Sequence, residues 1–121
     1  MKRGEKTRCA GTMTESAFWV WVKKALRNRS FMWAPYREIK NQSRRPYTGT
    51  NKKFKWEYQC NHCKGWFKGF EIEIDHIIPC GTFNAETAGV FIERLFCEVD
   101  NLQVLCKACH KEKTKEGCLT R

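Results

Sequence analysis

Leu102-Gln103-Val104-Leu105-Cys106-Lys107-Ala108-Cys109-His110 decides how this chain folds, because three structural signals follow one another in it without a gap. Leu102–Leu105 is a short apolar run of strand length. Cys106 and Cys109 stand at the spacing with which one tight turn presents two thiolates to a single metal ion. The second half of that turn opens a helix expected over 108–116, rich in Lys and Glu. Strand, metal turn and helix thus form one continuous unit.

Such a turn needs a second pair of thiolates, and Cys60-Asn61-His62-Cys63-Lys64-Gly65 supplies it, closed by a glycine. Zinc takes four soft ligands in a tetrahedron, so two CxxC pairs saturate one ion and leave His62 unneeded. Between Cys63 and Cys106 lie 42 residues, enough to hold structure of their own. Glu71-Ile72-Glu73-Ile74-Asp75-His76-Ile77-Ile78-Pro79 alternates and ends at proline, which predicts a strand with Ile72 and Ile74 inward. Residues 80–86 read as loop. A short helix is expected over 87–96, with Phe91 and Leu95 one turn apart. Ahead of the first turn, Phe54-Lys55-Trp56-Glu57-Tyr58 alternates aromatic and charged residues as a half-buried strand does.

Further out, residues 1–11 have no period and read as a mobile arm. Thr12 and Glu15 have capping-box spacing, which predicts a helix over roughly 13–29 with Thr12 as N-cap. Phe18, Trp21, Val22, Ala25 and Leu26 make its apolar stripe, and Trp19 and Val20 lie off it. A short helix near Tyr36–Asn41 follows the break at Trp33-Ala34-Pro35, and 43–53, rich in turn formers and positive charge, reads as an exposed loop.

The 121 residues fit one domain and carry a net charge of +10. Residues 1–59 hold 15 Lys or Arg against 4 Asp or Glu, and 60–121 hold 8 against 9. A solvated surface needs no such excess on one half, whereas a polyanionic partner explains it through counterion release. Arg44, Arg45, Lys52, Lys53 and Lys55 are the candidate residues for binding such a polyanion. No run of roughly 18 apolar residues exists to span a membrane, and the basic start leads into no secretory core. The expectation is a cytoplasmic, reducing location, where paired cysteines mean metal rather than disulfides. Cys9, Cys80, Cys97 and Cys118 lack the pair spacing and read as packing or incidental residues.

Asp75-His76 alone is a weak signal. It gains weight because the zinc turns bring that strand end toward the helix after Cys109, where His110 stands. A carboxylate and an imidazole from separate elements can hold a divalent ion and leave positions for water and phosphate, while a second imidazole serves as general base. Adjacent strand residues point to opposite faces, so Asp75 and His76 share one site only if the strand bends before Pro79. Glu71 and Glu73 fit an exposed strand face better than a metal site. Lys107, Lys111 and Lys113 suit phosphate or solvent equally.

Asp75-His76-Ile77-Ile78-Pro79, Asn101-Leu102-Gln103-Val104-Leu105-Cys106 and Cys109-His110 together resemble the HNH endonuclease family, in its zinc-stapled branch. The likeness covers about 58–116, and the layout is similar to small phage-encoded HNH proteins. It implies an α+β fold: a ββα-metal unit stapled by a four-cysteine zinc site, with an N-terminal helix and basic segment ahead of it. The implied organisation is 1–57 as a basic helical segment packing on the core, 58–116 as the nuclease core, and 117–121 as a tail. The implied roles are His76 as general base, Asn101 orienting His76, Asp75 and His110 holding a catalytic divalent ion, and Cys60, Cys63, Cys106 and Cys109 holding structural Zn²⁺. Thr114 stands where some members place a further metal-binding histidine, so two protein ligands plus waters suit Mg²⁺ or Mn²⁺. The implied partner is DNA, double-stranded, with other phage proteins in a host cytoplasm, for a monomer or a dimer. The alternative is a non-catalytic zinc-dependent nucleic-acid-binding module, which explains charge and cysteines but not Asp75, His76, Asn101 and His110.

Overall fold

The computed structural model describes residues 4–120, with side chains through residue 114. In chain order the elements are β1 (Lys6–Arg8), β2 (Met13–Thr14), α1 (Glu15–Ser30), α2 (Ala34–Gln42), β3 (Arg44–Pro46), β4 (Trp56–Gln59), β5 (Trp66–Phe67), β6 (Ile72–His76), α3 (Ala88–Leu95), β7 (Leu102–Cys106) and α4 (Lys107–Thr120). Helices and antiparallel strands are mixed, an α+β arrangement. The chain divides into two units: residues up to Trp33 with Ile78–Phe96, and Ala34–Ile77 with the chain from Cys97 onward.

In the first unit the expected mobile arm is instead partly a hairpin. β1 pairs antiparallel with β2, and the turn between them holds Cys9, Ala10 and Gly11 at φ 54°, 54° and 77°. The helix begins later than the capping-box spacing suggests. Thr14, not Thr12, is the N-cap, its hydroxyl accepting from Ala17 N–H at 3.1 Å. Glu15 is engaged elsewhere: Arg8 grips its carboxylate through Nε at 2.7 Å and a second nitrogen at 3.0 Å, and Trp19 Nε1 donates to it at 3.0 Å. That first bond, to Arg8, does most to hold the Glu15 carboxyl at about 2.

The buried stripe of α1 also differs from expectation. Trp21 is 61% exposed and Ala25 is exposed, whereas Phe18, Trp19, Val22 and Leu26 are half-buried. The contact that turns the helix this way is Trp19 edge-on to Phe83 at 5.5 Å. Phe83 in turn meets Phe91 at 4.9 Å. Cys80, Phe91 and Leu95 form the core of this unit, with Leu26, Phe83 and Phe96 packed on it, so α3 places its two expected residues inward.

In the second unit, part of the expected loop is paired. Arg44, Arg45 and Pro46 lie opposite Tyr58, Glu57 and Trp56, and β4 also pairs with β5. Pro35 sits in the first turn of α2, where its missing N–H costs nothing. β6 and β7 form a second antiparallel ladder, regular from Ile72↔Cys106 to His76↔Leu102, and β7 runs directly into α4. Ile72 is buried as expected, but Ile74 is only half-buried and Asp75 is buried. Leu105, Cys60 and Cys106 make the core here, with Phe67 and Cys109 against it. Cys80 and Cys60 thus serve as core residues in different units, while Cys118 lies outside the described side chains. Among the described residues no helix is long and apolar enough to cross a membrane.

Candidate functional site

Two turns bring four thiols together. Cys60 directly follows β4, and Lys64 N–H closes the turn on Cys60 C=O at 3.0 Å. The left-handed residue of that turn is Lys64, at φ 64°, not the glycine. Gly65 packs closely: a Cβ there would lie 3.0 Å from the Phe67 ring, which would have to give by a few tenths of an ångström, and 3.5 Å from Cys63 Sγ. Cys106 ends β7, and Cys109 lies one turn into α4 with its N–H toward Cys106 Sγ at 3.5 Å. The four sulfurs all lie within 4.8 Å of one another. A tetrahedral zinc with bonds of about 2.3 Å sets sulfurs about 3.8 Å apart, so the set fits such an ion with little movement. The thiols already compete for protons. Burial alone would raise Cys60, but N–H groups of Cys106, Cys63 and His62 hold it at about 6. Cys109 is pushed up to about 12, first by its bond to the Cys106 sulfur and then by burial. Cys60, Cys63, Cys106 and Cys109 are positioned to bind a metal such as zinc.

Beside the thiols, β6 and α4 converge on Asp75, which is 8% exposed. His110 Nε2 is 3.5 Å from Asp75 Oδ1, and His110 Nδ1 is 2.5 Å from Glu73 Oε2. A carboxylate only accepts, so Nδ1 donates to Glu73, and Nε2 is the ring nitrogen that faces Asp75. Two cis ligands of an octahedral Mg²⁺ or Mn²⁺ with bonds near 2.1 Å stand about 3.0 Å apart, so Asp75 Oδ1 and His110 Nε2 need to move by only about half an ångström. Asp75 Oδ2 is committed elsewhere. Gln103 Nε2 donates to it at 2.8 Å, and Lys113 Nζ pairs with it while also bonding His76 C=O at 2.6 Å and Ile77 C=O at 3.3 Å.

His76 leaves the strand differently. The ladder stays regular through it, and the bend required before Pro79 comes directly after it, at Ile77 and Ile78. Its ring meets Tyr36 of α2 edge-on at 5.6 Å, with Nε2 3.0 Å from the Tyr36 hydroxyl. Asn101 lies just before β7, and its C=O accepts the Ile77 N–H at 2.9 Å, holding the end of the ladder directly after His76. The structure therefore joins Asp75 to His110 and Asn101 to the backbone after His76, and sets Asp75 and His76 against different helices.

The basic residues divide as well. Arg44 is exposed and stacks over Trp56 at 4.0 Å. Arg45 lies over Trp66 at 3.8 Å and bonds Glu57 at 2.6 Å, which lowers the Glu57 carboxyl. Lys52, Lys53 and Lys55 are exposed. Sequence reasoning missed Tyr36, Gln103 and the engagement of Glu73 and Lys113. Spacing carried a signal for one of them, since Lys113 lies three residues after His110 and so on the same helix face.

The chain is 37% identical over 57 residues to a protein of Lactococcus phage SK1 named "Probable HNH endonuclease". The match covers 47% of this chain and 54% of that protein, so the chain spans about half the length of the curated relative it matches. No protein-family profile matches the chain, and no solved structure matches it.

Proposed function

We propose that this chain is a metal-dependent DNA endonuclease of the HNH kind, with a zinc-stapled ββα unit made of β6, β7 and α4. The observation that carries the reading is the approach of His110 Nε2 to Asp75 Oδ1, with Glu73 fixing the far side of the imidazole. A phage protein with that printed name supports it from a separate direction.

On this reading Asp75 and His110 hold one divalent cation. When bound, Mg²⁺ or Mn²⁺ supplies Lewis-acid stabilisation of charge on the phosphoryl oxygens and the leaving oxygen. His76 takes a proton from water. The water oxygen attacks phosphorus in line, the P–O3′ bond breaks with its electron pair on the 3′-oxygen, and that oxygen gains a proton from solvent. Asn101 holds the strand end that carries His76. The scissile phosphate lies at the end of β6, just before the bend at Ile77 and Ile78. The exposed basic residues ahead of the thiol turns bind backbone phosphates on either side.

Incubation with supercoiled plasmid tests the reading. Nicked or linear product with Mg²⁺ or Mn²⁺, abolished by EDTA and restored by added metal, is expected. Retarded but uncut plasmid under every divalent ion would replace it with the non-catalytic zinc-dependent binding module.

A further inference from the structure

The strand pairing places Gln103 directly across from Asp75, and the chemistry of each partner then fixes a line of hydrogen bonds. Asp75 Oδ2 can only accept, so Gln103 turns Nε2 toward it, at 2.8 Å. Gln103 Oε1 thereby faces away and accepts from Asn61 Nδ2, also at 2.8 Å. Asn61 Oδ1 is left for Lys64 Nζ at 3.4 Å. Asn61 stands between Cys60 and Cys63, and its own N–H bonds Val104 C=O at 2.8 Å. Both amides line a groove of about 350 Å³ that Lys113 also borders.

We infer that Asn61 and Gln103 are positioning residues: an amide relay through which the thiol turn at Cys60–Cys63 aims the Asp75 carboxylate at its divalent ion. The inference rests on the metal role proposed for Asp75. Each amide in the relay has one orientation that satisfies its neighbours, so the orientation imposed at Asn61 reaches Asp75 without contact between them. With Oδ2 tied to Gln103 and Lys113, the carboxylate plane is fixed and Oδ1 is the oxygen turned to His110. Outer partners of this kind typically contribute about 10- to 100-fold to metal affinity.

Asn61→Asp gives the relay a distinctive sign. An aspartate there offers no donor, so the Gln103 amide must turn its NH₂ toward position 61 and its oxygen toward Asp75. Lone pairs then oppose each other at Oδ2. The added negative charge by itself would attract a cation, so simple electrostatics predicts tighter binding and the relay predicts weaker binding. Asn61 is exposed, which keeps the substitution away from the core.

The test is Mn²⁺ binding to the zinc-loaded full chain without DNA, followed by the loss of the free-Mn²⁺ electron paramagnetic resonance signal, with zinc content measured on the same samples. Asn61→Asp is expected to weaken Mn²⁺ binding about 10-fold with zinc retained, and Gln103→Met about 10- to 100-fold. In the Gln103→Met background, Asn61→Asp should no longer weaken binding, because no amide remains to turn. Unchanged or tighter binding by Asn61→Asp with zinc retained overturns the relay. If Asn61→Asp loses zinc, Gln103→Met decides, and parent-like affinity in that variant overturns it equally. A parent chain that binds zinc but no Mn²⁺ instead removes the metal role of Asp75, and the relay with it.

Discussion

The Tyr36 hydroxyl stands 3.0 Å from Nε2 of His76, joining residues 40 apart in the chain. A hydroxyl can donate or accept, so this contact orients the ring in either tautomer. Tyr36→Phe keeps the edge-on ring contact and deletes the bond. One such bond is worth about 1 kcal/mol net, so cleavage should slow about 3- to 10-fold and the melting temperature should fall by a few degrees. Parent-like cleavage by Tyr36→Phe would show that His76 is held without it.

His76→Ala should lower turnover by about 10²- to 10⁴-fold and leave DNA affinity and zinc content intact. His110→Ala should raise the Mn²⁺ concentration needed for half-maximal cleavage, with partial recovery at excess metal. Asp75→Ala should do the same and also cost stability, because it strips Gln103 and Lys113 of a shared acceptor. Cleavage by His76→Ala at the parent rate under saturating metal would remove the general base from the mechanism.

The four thiols should carry one zinc per chain by elemental analysis. Cys60→Ser and Cys106→Ser should unfold the unit built from Ala34–Ile77 and the chain from Cys97, since metal binding there is also folding energy. Circular dichroism after strong chelation should show the same loss in the parent.

Neutralising Arg44, Lys52, Lys53 and Lys55 should weaken DNA binding and flatten its dependence on salt, each lost phosphate contact reducing the slope by about 0.9. Arg45→Ala should behave differently: it leaves the buried Glu57 without its guanidinium and lowers the melting temperature. Filter binding across a salt series, beside melting curves, separates the two. An unchanged slope in the fourfold variant would move the DNA surface elsewhere.

Glu15 sets an acid limb for the first unit. Its carboxyl is lowered from 4.5 to about 2, chiefly by the bond from Arg8. A depressed carboxylate stabilises the fold above its ordinary value and loses that contribution as pH falls through the folded one. The melting-temperature gap between parent and Glu15→Gln should therefore be full at about pH 6 and shrink as pH falls from the ordinary carboxylate value toward the lowered one. A constant gap would contradict the ion pair.

Cys60, Cys63, Cys106 and Cys109 were legible because their spacing is itself the chemistry. The approach of Asp75 to His110 was legible through their positions beside those pairs. Gln103 was not, because its role depends on lying opposite Asp75, a pairing set by ladder register between residues 28 apart. Tyr36 was hidden for the same reason. On α1 the apolar residues Phe18, Trp19, Val20, Trp21 and Val22 are continuous, so periodicity allows more than one buried face. Contact with Phe83, distant in sequence, selects the one with Trp19. The early capping-box spacing at Thr12 is not used: its hydroxyl donates to Cys9 C=O, and Arg8 holds the Glu15 carboxylate.

β6 and β7 are ladder partners, yet the chain leaves one and returns to the other only after Ile78–Phe96 has joined a different unit. Folding kinetics inherit this chain order. Even the nearest pair, His76↔Leu102, closes a loop far longer than a tight hairpin, and until the intervening residues collapse that loop is a slack tether. Packing of Phe91 and Leu95 within that stretch shortens the tether wherever it precedes the ladder. The ladder between β6 and β7 is thus a non-local pairing, of the class that forms more slowly than contacts between chain neighbours.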